Sequence, residues 1–162
     1  MLFKPNLRDT CRAVADAIDI AEEATPALMR AALDIAAVRC ATPDRAARLK
    51  QIDALIAAHA WTDAALAIAA LDHAQAVRRI VRDDTEWYCT IGSQWPVPEW
   101  LDHGAWHGHP ALPLAILGAV VDAVSQTESA APAETSWEET GRDVPRRDHG
   151  DVIASFGCDN YS

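Results

Sequence analysis

Apolar side chains recur along this chain at helical spacing in four blocks before residue 75 and in one block after residue 110. Leu7, Cys11, Val14 and Ile18 step by four, three and four, a narrow stripe that predicts a first helix over residues 7–24. Asp9, Arg12, Asp16, Asp19 and Glu22 fall largely off that stripe. Thr25-Pro26 marks the next start, because Thr caps free amide groups and Pro at the first helical position loses no hydrogen bond. This second helix is expected to reach about Arg39, with Leu28, Ala31, Ile35 and Val38 on one face. Thr42-Pro43 repeats the signal and predicts a third helix to about Ala58, with Leu49, Ile52, Leu55 and Ile56 inward. After a break at Ala60-Trp61, Thr62 is expected to cap a fourth helix through about His73, carrying Leu66, Ile68 and Leu71. The short connection between the third and fourth predicts that they pack antiparallel.

The period then changes to two. Glu86 to Ile91 alternates, with Trp87, Cys89 and Ile91 on one face and Glu86, Tyr88 and Thr90 on the other. Val77 to Arg82 is β-branched and basic, and the alternation places Val77 and Val81 on one side and Ile80 on the other. Asp83-Asp84-Thr85 is a polar turn between them, so the pair is a hairpin. Two strands alone are marginal in water, so the apolar face must lie on the helices or on another molecule. Pro96 and Pro98 keep Trp95 to Trp100 out of regular structure, with a short helical turn expected at Glu99 to Asp102. His103 to His109, with two glycines, reads as a loop. A last helix follows over roughly 111–125, with Leu112, Ile116, Ala119, Val120 and Val124 at helical spacing. It is the most apolar of the helices and is expected to be central. From Gln126 onward Ser, Thr, Pro, Gly and acidic residues dominate, the pattern of a disordered or loosely docked tail. The expected organisation is therefore one mainly helical domain at 1–125 and an acidic tail at 126–162.

Charge narrows the partners. Fourteen basic against 24 acidic residues give a formal net charge of −10. Such a chain is poorly suited to neutralising nucleic-acid phosphates or to resting on an anionic membrane. No window approaches the length of an apolar membrane span, and the first residues carry no apolar run of signal-peptide length, so a cytoplasmic setting is expected. Cys11, Cys40, Cys89 and Cys158 are widely spaced and form no CxxC, which favours buried thiols and a tail thiol over a disulfide framework.

Three constellations carry candidate chemistry. Trp87, Trp95, Trp100 and Trp106 fall within 20 residues, interleaved with Pro96 and Pro98. They either supply bulk to a core short of Phe and rich in Ala, or line a surface for a protein partner. Arg78 and Arg79, with Arg82, make one strand basic in an acidic chain, suiting an acidic partner or a solvated strand that guards a sheet edge. His103, His107 and His109 put three imidazoles within seven residues, the donor set of a metal site or metalloenzyme, against which stand the flexible Gly104 and Gly108. No nucleophile motif and no Gly-rich phosphate loop is present, and no cofactor is expected.

Two likenesses bear on this reading. The turn AHAWTDAALAIAAL resembles the corner of a tetratricopeptide-type helical hairpin, but no second copy follows at the period such arrays require. The elements WTDAALAIAALDHAQ, RRIVRDDTEWYCTIGSQ, VPEWLD and ALPLAILGAVVDA, spanning about residues 63–122, resemble a group of small alphaproteobacterial, rhizobial-type proteins. That group carries no activity to transfer. The resemblance implies the order of elements and a bacterial cytoplasmic setting.

The sequence thus predicts an α+β fold, mainly α: a helical bundle with one antiparallel β-hairpin and a C-terminal closing helix. The expected function is non-catalytic protein–protein interaction through the hairpin and Trp-Pro segment. A metal-binding protein using the histidines, and a subunit of a homo-oligomer or larger complex, are the alternatives.

Overall fold

From Leu114 to Val124 the chain carries one charged side chain, Asp122, and the helix built on this run is the centre of the molecule. The computed structural model describes residues 6–94 and 104–130, all within one compact unit that extends to Ala131. Its order is α1 (Leu7–Asp19), α2 (Pro26–Ala37), α3 (Arg45–Ala57), α4 (Trp61–Ala69), β1 (Gln75–Asp83), β2 (Glu86–Ser93), β3 (Ala105–His109) and α5 (Leu112–Ala130). The fold is α+β and mainly α, closed by a C-terminal helix as expected. None of the described helices is long and apolar enough to cross a membrane.

Most helices end earlier than the spacing suggests, whereas α5 runs on to Ala130, past the expected end near residue 125, and α2 buries Met29, Ala32, Leu33 and Ala36 while Val38 is exposed. The α1 stripe of Cys11, Val14 and Ile18 is buried against α5, and the helix stops at Asp19 rather than near residue 24. The apolar steps end at Ile18, Ala21 N–H turns back to the Ile18 carbonyl, and Thr25 before proline is extended. Thr25 caps α2 as expected: its hydroxyl oxygen accepts from Leu28 N–H at 3.3 Å. Thr42 does not repeat this role. Its hydroxyl lies 3.4 Å from the Cys40 sulfur, and α3 begins only at Arg45. Between α3 and α4 the chain reverses in three residues. His59 takes a left-handed conformation, φ 58°, while His59 N–H donates to Ile56 O and Ala60 N–H to Leu55 O. This is the double-bonded helix ending that usually selects glycine. Trp61, not Thr62, opens α4, and α4 ends at Ala69.

The sheet differs from a lone hairpin. Its order is β1-β2-β3, all antiparallel, and β3 forms where the glycines suggest a loop. The β1–β2 turn is two residues, with Asp84 at φ 46°. The register shifts between Val77 and Arg79, so Arg78 is an inserted residue. That bulge corrects the alternation: Val77 opposes Ile91 and Ile80 opposes Cys89 on the inner face, while Val81 opposes Tyr88 on the outer one. Trp87, Cys89 and Ile91 share the inner face as expected, joined there by Ala105, His107 and His109 of β3. This face rests on α5, whose other sides meet α1, α2 and α4, with α3 packed on α4. Leu114, Ile116, Leu117 and Val121 of α5 are fully enclosed.

Candidate functional site

Because β3 is a strand, the H-x-H spacing of His107 and His109 places both imidazoles on one face, the inner one. There they do different things from a shared ligand set. His109 is 6% exposed. Ala111 N–H donates to its Nδ1 at 2.9 Å, so Nδ1 is the acceptor, and the proton on Nε2 points to the Ala21 carbonyl at 3.0 Å. Both ring nitrogens are satisfied by backbone groups. His107 lies between two carboxylates: Nδ1 is 3.3 Å from Asp122 Oδ2 on α5, and Nε2 is 3.3 Å from Asp19 Oδ1 at the end of α1. The first contact has hydrogen-bond geometry. The second is a charge contact, since the buried Nε2 has no acceptor along its bond direction. The Asp122 hydrogen bond, aided by the charges of Asp122 and Asp19 against the opposing effect of burial, holds the His107 pKa above its usual value.

Room for the His107 ring comes from Gly118. A Cβ built at that position would overlap the ring, which lies directly on the α5 backbone. Together the two histidines grip the C-terminal end of α1, one through Asp19 and one through the Ala21 carbonyl that follows. No group of three or more metal-ligating side chains occurs among the described residues, and His103 lies outside them.

The outer face of the sheet is the second feature. Trp106 on β3 is 65% exposed. It sits across from Thr90, with the Tyr88 ring 6.4 Å away at a tilt of 34°. Tyr88 covers Gly108, where a Cβ would meet its ring. Its hydroxyl donates to Glu86 Oε2 at 2.9 Å, and that carboxylate raises the phenol pKa. Arg79, Val81, Thr90 and Tyr88 continue the face toward β1 and, with Arg82 and Asp83, line an open depression of about 310 Å³. A second groove, about 460 Å³ between α3 and α4, is lined by Asp44, Arg48, Gln51, Ile52 and Leu71. Its arginine is already engaged, donating to Ala70 O and pairing with Asp44.

The structure separates the residues that the sequence groups together. Trp87 is on the inner face, half-buried against the core, with the Arg82 guanidinium 5.5 Å above its ring. Trp106 is on the opposite face. Arg78 sits in the bulge and Arg79 beside Thr90. Trp95, Pro96, Pro98 and Trp100 lie outside the described residues. Sequence reasoning missed Asp19, Asp122 and Gly118, and placed Tyr88 on the outer face without singling it out as a site residue. A glycine within the most apolar helix was the available signal, since such a glycine marks a close approach. Comparison of the chain with protein-family models, with curated proteins and with solved structures returns no match.

Proposed function

We propose that this protein is a non-catalytic interaction domain that recognises another protein on the outer face of its sheet. The observation that carries this reading is Trp106, a large aromatic on β3 that is 65% exposed. Tyr88 and Val81 extend an apolar strip from it, and Arg79 adds a positive group within an otherwise acidic chain. Trp, Tyr and Arg are the residues that most often anchor protein interfaces. The described helices cover the inner face of the sheet and leave this strip open. The histidines, engaged with Asp19, Asp122 and backbone groups, contribute to holding α1.

The test is affinity purification from the native cell with the wild type and with Trp106→Ala, Tyr88→Ala and Arg79→Glu. Partners retained by the wild type should be lost or sharply depleted with the Trp106 and Tyr88 variants, while circular dichroism and denaturation midpoints stay close to wild type. Equal recovery of the same partners with folded variants would sink the proposal.

A further inference from the structure

We infer that His107 makes the docking of α1 proton-dependent, so that the C-terminal end of α1 is held at neutral and mildly acidic pH and loosened as pH rises. The inference rests on how one ring meets two carboxylates on two different helices. Nδ1 faces an acceptor, Asp122 Oδ2, and therefore carries a proton in either charge state of the ring. The variable proton is then the one on Nε2. With it, a buried N–H bearing positive charge lies 3.3 Å from Asp19 Oδ1. Without it, the ring is neutral and the charge attraction that holds Asp19 beside it is lost. Asp122 keeps its hydrogen bond throughout, whereas Asp19, the more exposed carboxylate at 59% against 34%, is free to swing away.

The setting of α1 amplifies this. The helix has no basic residue in its last turn and closes on Asp19 itself. The negative end of the helix dipole and a carboxylate therefore lie together, and the cation that balances them comes from β3. Other titratable groups around the ring do not substitute for it. Cys89, opposite His107 on β2, is pushed by burial to about 11 and stays neutral over this range. Cys11 on α1 is also raised, first by burial and then by the charges of Glu128 and Asp122 on α5. His109, two residues along β3, is committed to backbone groups on both nitrogens.

Asp122 is the first cause of the raised His107 pKa and keeps its place whether or not α1 is docked; the part linked to docking is the charge of Asp19, and that contribution is present at low pH and is lost as pH climbs through the raised value. Amide hydrogen exchange from about pH 6 to about pH 9, corrected for the intrinsic rate, reads this directly. Protection of residues 7–19 should fall with rising pH relative to α5, tenfold for each unit by which docking raises the His107 pKa. The slope should vanish in His107→Gln. It should vanish equally in Asp19→Asn, a largely exposed change that leaves the core intact and carries the test where the first variant folds poorly. Wild-type α1 protection that is flat with pH, a loss shared equally by α5, or a slope retained in Asp19→Asn would each overturn the inference.

Discussion

Glycine is about 1 kcal/mol worse than alanine inside a helix, so Gly118→Ala in α5 would ordinarily stabilise a protein of this kind. Here the opposite is expected. The added methyl falls on Cδ2, Cγ and Nε2 of His107 at separations no real Cβ adopts, so the ring must leave its place. Overpacking of an enclosed site costs about 1–3 kcal/mol. A displaced ring also gives up its hydrogen bond to the Asp122 carboxylate, a charged pair of about 1.5–3 kcal/mol when both groups are well enclosed and less here, where Asp122 is one-third exposed. Set against the propensity gain, the net expectation is a loss of about 1–4 kcal/mol, or on the order of 5–15 °C in melting temperature for a unit of this size. Urea denaturation followed by circular dichroism measures it, and the decisive step is the double-mutant cycle. In a His107→Ala background the obstacle is gone, and Gly118→Ala should then stabilise by up to about 1 kcal/mol. A reversal of sign is hard to obtain by any route other than direct contact. Gly118→Ala as stable as wild type in the presence of His107 would refute the placement of the ring across α5.

Other expectations follow from the same coordinates. Ile116→Ala, at a fully enclosed position, should cost about 2–5 kcal/mol, whereas Trp106→Ala should change stability by less than about 1 kcal/mol, and equal losses in denaturant would contradict the assignment of the two faces. Cys11, Cys40 and Cys89 are buried, with Cys89 pushed up to about 11, so peptide mapping after iodoacetamide treatment near pH 8 should find them unmodified until the chain is unfolded. His59 occupies the left-handed position ending α3, so His59→Val should lower the unfolding free energy in urea by about 1–2 kcal/mol while His59→Gly does not. Replacing Arg78, Arg79 and Arg82 together by Thr should increase self-association in light scattering, since it strips the charges from a long edge strand.

The helices were legible because a buried stripe imposes its own spacing. Leu7 to Ile18 and Leu112 to Val124 announce their elements, whereas in α2 the expected face of Leu28, Ala31, Ile35 and Val38 is turned: Met29, Ala32, Leu33 and Ala36 are buried with Ile35, and Val38 is exposed. Boundaries were less so, since Thr42-Pro43 and Thr25-Pro26 look alike and only one of them caps. The third strand was hidden by its composition. Ala105, His107 and His109 face inward, and two of those three are not apolar, while Gly108 exists to lie under the Tyr88 ring. The bulge at Arg78 was written in the three-residue step from Val77 to Ile80, which no regular strand places on one face. The histidine grip on α1 was not legible at all. The contact of His109 with Ala21 spans 88 residues, and nothing local marks Asp19 or Asp122 apart from other surface acids.

The third strand also changes where recognition is expected. A hairpin on the helices would have two exposed edges, and strand addition would be the natural way to bind it. With β3 in place, β2 is paired on both sides, and among the described residues the longer edge of the sheet is β1. That edge carries an inserted residue and three arginines, the features by which sheets resist addition of another strand. The face beside it shows the reverse arrangement: Trp106, Tyr88 and Val81 stand outward, and the β2–β3 register that carries Trp106 and Tyr88 has no shift. An edge built to refuse main-chain pairing next to a face rich in aromatic surface argues for a partner read by side chains across the strands. It also gives Trp87 and Trp106, grouped together in the sequence, opposite places in the fold. The first packs half-buried against the core beneath the sheet, and the second stands exposed on the outer face, where we propose that a partner binds.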